Sequence, residues 1–163
     1  MSGLLPKQTH DFHSKAYWQQ FFEQRGDASF EWYGTYTELR HLVIDAQELQ
    51  TTDRVLVVGC GNSDFSAELY DDGFKQVTNV DFEPSVVSSM AARNAKRSAM
   101  QWVVADMTDM GEAIATGAFD VVIDKGALDA LASSDTPAVR AQVRARSTRA
   151  SHPVTHFGCV RAG

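Results

Sequence analysis

Val55-Leu56-Val57-Val58-Gly59-Cys60-Gly61-Asn62-Ser63 is an apolar run that breaks into a glycine-rich turn. Four consecutive apolar residues without alternation suit a strand covered on both faces, as in a parallel sheet. Gly59 and Gly61 let the backbone turn tightly and approach a ligand that a Cβ would block. A second strand, Gln76 to Val80, leads into Asp81, 22 residues beyond Gly59. A carboxylate at that place can accept hydrogen bonds from both hydroxyls of a ribose. The pair of features predicts a nucleotide-type pocket.

Working outward, the turn itself narrows the ligand. A dinucleotide site uses G-x-G-x-x-G, whose third glycine lets the helix pack closely on the strand. Here the third position is Asp64. A carboxylate in the first turn of the helix would repel a pyrophosphate seeking the helix dipole. The pattern suits a ligand with an adenosine and no phosphate, and S-adenosylmethionine meets that description. A dinucleotide, or a glycine turn that only joins strand to helix, are the competing readings.

The flanking segments predict alternating elements. Lys15 to Arg25 reads as a helix, capped by Ser14 and ended by Gly26, with Trp18, Phe21, Phe22 and Arg25 at helical spacing. A loop carries Phe30-Glu31-Trp32-Tyr33-Gly34. Thr35 and Glu38 form a capping-box pattern for a helix from about Tyr36 to Gln50, with Leu39, Leu42, Val43, Ala46 and Leu49 inward. After the first strand come a helix (about 63–71), the second strand, a helix opened by Pro84, a strand near 100–105, a strand at 119–123 and a short helix near 126–132. Strand–helix alternation with short connections predicts a doubly wound parallel α/β sheet, Rossmann-like, with ligands at the carboxyl ends of the first two strands.

Length and composition are those of one globular domain: 163 residues, 44% hydrophobic and 22% charged. No leader, no myristoylation pattern (Ser2 follows Met1) and no span of about 18 apolar residues is seen, so no membrane association is expected. Two cysteines, Cys60 and Cys159, give no disulfide framework, and a reducing cytoplasm is the expected compartment. The five histidines show no metal-like pairing with cysteine or carboxylate, so no metal is assigned. Residues 1–136 hold 10 Lys/Arg and 21 Asp/Glu, whereas 137–163 hold five Arg and no acid. An acidic body argues against general nucleic-acid binding and suits a basic protein substrate. The chain is expected to divide into an N-terminal helical segment (1–53), a ligand-binding core (54–135) and a basic tail (136–163). The tail, with Arg140, Arg144, Arg146 and Arg149 among Ala, Ser and Thr, shows no clear strand and reads as disordered or a frayed helix.

Several stretches together carry a family resemblance. They are Leu4-Leu5-Pro6, Tyr17-Trp18, Phe21-Phe22-Glu23-Gln24-Arg25-Gly26, Glu31-Trp32-Tyr33-Gly34-Thr35-Tyr36, the glycine turn, and Asp124-Lys125-Gly126-Ala127-Leu128-Asp129-Ala130. Over about residues 1–133 the chain resembles class I (seven-β-strand) S-adenosylmethionine-dependent methyltransferases. Within them it looks like the N-terminal domain of the two-domain enzymes that modify translation elongation factor 1-alpha. The resemblance implies that Gly59 and Gly61 border the tail and ribose of the donor. By the same resemblance Asp81 holds the ribose hydroxyls with Phe82 beside the adenine, Asp106 accepts from the adenine amino group, and Met107 packs on the ring. Lys125 would line the donor site, and Trp18, Phe22 and Trp32 would form a lid. A sulfonium cation is attracted to aromatic faces, which gives that lid a physical basis. The plainer alternatives stay open: core packing for Trp18 and Phe22, turn acids for Asp81 and Asp106, and a solvated surface lysine for Lys125. Asp124 and Asp129 read equally well as a substrate-amine site or as a helix cap and an exposed acid.

One departure from the family pattern is plain. Strand starts near Arg54, Gln76, Met100 and Phe119 are separated by roughly 20 residues, and 38 residues follow Lys125. The sheet is therefore expected to be incomplete after the fourth strand, with that strand left as an open edge able to self-associate. Two functions follow: a methyltransferase acting on a protein lysine, with elongation factor 1-alpha implied as substrate, or a shortened non-catalytic form that binds a partner or the donor. An NAD-linked oxidoreductase is the weaker third.

Overall fold

The computed structural model describes residues 12–26, 28–111, 113–115, 117–133 and 154–156. Its centre is a parallel sheet of β1 (Val55–Val58), β2 (Val77–Asp81), β3 (Gln101–Val104), β4 (Val121–Asp124) and β5 (Val154–His156), in the order β3-β2-β1-β4-β5. β1 lies between β2 and β4, with Val58 beside Val80 on one side and Asp124 on the other. Every residue of β1 and β2 is buried, as the unalternated apolar run predicts. The chain order reverses at β1, which opens a crevice at the carboxyl ends of β1, β2 and β4.

Helices cover the sheet: α1 (Lys15–Arg25), α2 (Tyr36–Arg40), α3 (Phe65–Asp71), α4 (Pro84–Arg93) and α5 (Ala127–Ala132). Ser14 caps α1 by accepting from the Tyr17 N–H, and Gly26 closes it at φ 56°. The main core joins Leu39, Val43 and Ile44 to Phe65, Leu69, Phe74, Val77 and Ile123.

Two expectations are corrected here. The second helix does not run regularly to Gln50: after Arg40 it widens into a π-type turn, His41–Asp45, in which the Ala46 N–H donates to the His41 carbonyl. The wider turn shifts the helical phase, so Val43 and Ile44 face the core while Leu42 is left 45% exposed. The tail is not free of strand. β5 pairs with β4 through Val122–Val154, Ile123–Thr155 and Asp124–His156, so β4 is not an open edge. Val154 and Thr155 are β-branched and suit an extended backbone. The doubly wound parallel architecture is as expected, and beyond β4 the described sheet adds only these three residues. The rest of the basic tail, 136–153 and 157–163, lies outside the described residues, as do Leu4, Leu5 and Pro6.

Candidate functional site

The crevice is lined at its floor by the glycine turn, at one side by the ends of β2 and β3, and at the other by the turn after β4. Gly59 and Gly61 sit at φ 57° and 51°, the left-handed region that favours glycine. A Cβ on Gly61 would come within 3.2 Å of the Phe22 ring, and one on Gly59 within 2.3 Å of the Ala127 Cβ. The turn is thus a cradle that only bare backbone can form.

Asp81, 4% exposed, closes the cradle from β2. Its carboxylate accepts from the Gly61 N–H at 2.9 Å and from the Glu83 N–H at 3.0 Å. Burial raises its pKa from the ordinary aspartate value, and the hydrogen bonds from Glu83 and Gly61 offset this only in part. Asp81 is therefore more than a strand-end turn residue. It clamps the glycine turn to β2 with a carboxylate at the crevice wall.

Past β3, Asp106 accepts from the N–H (2.7 Å) and hydroxyl (2.6 Å) of Thr108, and its other oxygen takes Lys15 at 2.6 Å. Burial raises the Asp106 pKa, but the Lys15 and Thr108 hydrogen bonds outweigh it and hold the carboxyl below its usual value. The Lys15 ammonium also stands 5.5 Å above the centre of the Phe82 ring. Met107 packs on the sheet face beside Val58 and Val80.

The aromatic segment closes the top. Trp18 lies 6.0 Å from Phe22 and 5.9 Å from Trp32 between ring centres, and its indole N–H donates to the Phe12 carbonyl. Phe22 leans on Gly61, and Trp32 leans on Gly126. Core packing was the alternative reading for Phe22; the fully buried aromatic of α1 is instead Phe21, 2% exposed, while Phe22 lines the crevice. All ten predicted positions (Trp18, Phe22, Trp32, Gly59, Gly61, Asp81, Phe82, Asp106, Met107 and Lys125) line this one crevice.

Lys125 is not a solvated surface lysine. Its side chain is 9% exposed and its ammonium contacts the Glu31 carboxylate at 2.7 Å. Glu31 is the residue the sequence reading missed. It also accepts from the Ser63 hydroxyl (2.7 Å) and the Asp64 N–H (2.8 Å), so one carboxylate ties the aromatic loop to the glycine turn and to the turn after β4. Its signal was present only as an acid inside an aromatic run. Glu31→Gln should lower the unfolding free energy by about 1.5–3 kcal/mol, since it weakens a charged hydrogen bond on a buried ammonium. Urea denaturation would measure this, and an unchanged midpoint would remove Glu31 as a tie.

Asp124 resolves the other way. It accepts from the N–H groups of Gly126 (3.1 Å), Ala127 (2.7 Å) and Leu128 (3.1 Å), the work of a helix cap. Among the described residues no group of His, Cys, Asp and Glu could hold a metal ion, and no helix is long and apolar enough to cross a membrane.

Comparison with known proteins adds sequence kinship to this geometry. Residues 55–148 match the family model described as a methyltransferase domain. The chain is 40% identical over 159 residues to the eEF1A lysine and N-terminal methyltransferase of Danio rerio, covering 97% of this chain and 22% of that protein. It is 39% identical over 132 residues to EEF1A lysine methyltransferase 4 of Bos taurus, covering 80% of this chain and half of that one. Among solved structures, a glycopeptide N-methyltransferase complexed with sinefungin superposes with a TM-score of 0.53 at 21% identity, over 76% of this chain and 54% of that chain. That likeness is one of fold. The chain thus spans between about a fifth and a half of the length of these curated relatives.

Proposed function

Because this chain belongs to the methyltransferase domain family, we propose that its crevice binds S-adenosylmethionine for methyl transfer to a protein lysine, with elongation factor 1-alpha as the acceptor. One observation carries the ligand class: the Asp81 carboxylate, buried and tied to the Gly61 N–H, faces a glycine cradle whose third position is an acid rather than a glycine. The residues fit the donor. Gly59 and Gly61 leave room for its tail and ribose, and Asp81 offers acceptors to the ribose hydroxyls. Phe82 and Met107 supply apolar surface for the adenine, and Asp106 an acceptor for its amino group. Trp18, Phe22 and Trp32 present aromatic faces, which attract a sulfonium.

The donor supplies an electrophilic methyl group on a positively charged sulfur. The chain's own residues do the rest. In-line displacement requires an uncharged amine placed behind the methyl carbon, in a space from which water is excluded. The aromatic lid excludes water, and Glu31 with Lys125 fixes the lid's loop to the floor. Burial favours the neutral form of an incoming lysine. No covalent enzyme intermediate is required for this displacement. The identity of the acceptor rests on the relatives' names and on the acidic body, which would steer a basic target. The proposed compartment is the cytoplasm, where elongation factors work.

Incubation with labelled donor and recombinant elongation factor 1-alpha tests the proposal. Transfer of label to the factor is expected. No transfer, together with no donor-induced rise in melting temperature, would overturn it.

A further inference from the structure

The geometry points to a cation-binding bracket at the rim of the crevice, formed by Tyr33 and Asp129, that docks the acceptor's lysine side chain. This rests on the methyl-transfer reading above and adds the acceptor side to it. The Tyr33 hydroxyl donates to the Asp129 carboxylate, joining the aromatic loop to α5 across 96 residues of sequence. Tyr33 sits at φ 69°. A bulky side chain rarely adopts that left-handed conformation, and it persists only where neighbours impose it. The neighbours are identifiable: the Gly34 N–H donates to the Trp32 carbonyl at 2.8 Å, and the Thr35–Glu38 capping box fixes the next residues. The result is a ring 52% exposed, set edge-on to Trp32 at 6.1 Å between centres.

The position matters as much as the pair. Trp32 packs on Gly126, and the next turn, Ala127, Ala130 and Leu131, lines the crevice. Asp129 stands on that same helix between Ala127 and Ala130, beside the crevice lining rather than in it. Among the described residues no basic side chain pairs with Asp129, whereas Asp124 is committed to three backbone N–H groups. A carboxylate joined to a half-exposed aromatic ring is what an ammonium on a flexible stem recognises, by charge and by the ring face together. Burial and the Asp129 hydrogen bond raise the Tyr33 pKa, so the phenol stays protonated as a donor across the neutral range. The bracket recognises the lysine before transfer; it is a docking element rather than a proton acceptor.

The test uses the whole chain saturated with S-adenosylhomocysteine and titrated with recombinant elongation factor 1-alpha, alongside separate calorimetry with the donor. Asp129→Asn should weaken acceptor binding at least about tenfold and raise KM more than it lowers kcat, with donor affinity held within about twofold. Asp129→Glu should recover part of the loss, and Tyr33→Phe should give a smaller one. Unchanged acceptor binding in Asp129→Asn, or a parallel loss of donor affinity, overturns the bracket. A wild-type chain that binds donor but not the factor also overturns it, leaving the donor reading intact. A chain that binds neither overturns both.

Discussion

Asp81→Asn should weaken S-adenosylmethionine binding by about tenfold to a hundredfold, the effect of losing charged hydrogen bonds worth roughly 1.5–3 kcal/mol. The substitution keeps the shape of the side chain but removes its charge, and it turns one acceptor into a donor facing the Gly61 or Glu83 N–H. Isothermal calorimetry on wild type and variant reads the loss directly. Equal affinities would take Asp81 out of the site. The same residue sets a pH dependence. Its folded-state pKa is raised by burial, so the unfolded chain gives up this proton first. The stability contributed by a protonated Asp81 is full below the unfolded pKa and is lost as pH rises through the folded value. Binding runs the opposite way: ribose hydroxyls need an ionised acceptor. Donor affinity should therefore fall as pH drops through the folded value, which lies above the ordinary aspartate value. In Asp81→Asn that slope should flatten, and an identical slope in the variant would assign it to another group.

Gly59→Ala should destabilise the fold by roughly 2–5 kcal/mol, because two terms add. An L-residue at φ 57° costs about 1–2 kcal/mol, and the new methyl meets the Ala127 Cβ at 2.3 Å, an overlap that α5 must move to relieve. Such a loss lowers the melting temperature by about 10 °C for a chain of this size. Gly117→Ala separates the terms: Gly117 also has positive φ, at 76°, yet a Cβ there meets nothing within 4 Å. It should show only the backbone part, about 1–2 kcal/mol. Equal losses at the two positions would mean that contact with α5 contributes nothing.

The legibility of the sequence follows from how local each signal is. β1 and its turn were readable because four apolar residues and two glycines lie in one unbroken stretch. α1 matched from Lys15 to Arg25 because both caps are adjacent residues. The phase of the second helix was misread because a π-type turn leaves no mark in a sequence; Leu42 and Ile44 exchange places through one extra residue per turn. Glu31 was overlooked because its partner Lys125 lies 94 residues away. β5 escaped because three residues are too few to set a period and its pairing partner is 32 positions back. Gly59, Gly61 and Asp81 could be read as one pocket from the strand–turn pattern, whereas the gathering of the other site positions around them was legible only through family likeness, since Trp18 and Lys125 share nothing local.

The most direct measurement is a calorimetric titration of the purified chain with S-adenosylmethionine and, separately, with NAD. A saturable one-to-one heat with S-adenosylmethionine and none with NAD is the predicted result. Heat with NAD alone, or with neither compound, would contradict the assignment of the Gly59–Gly61–Asp81 cradle.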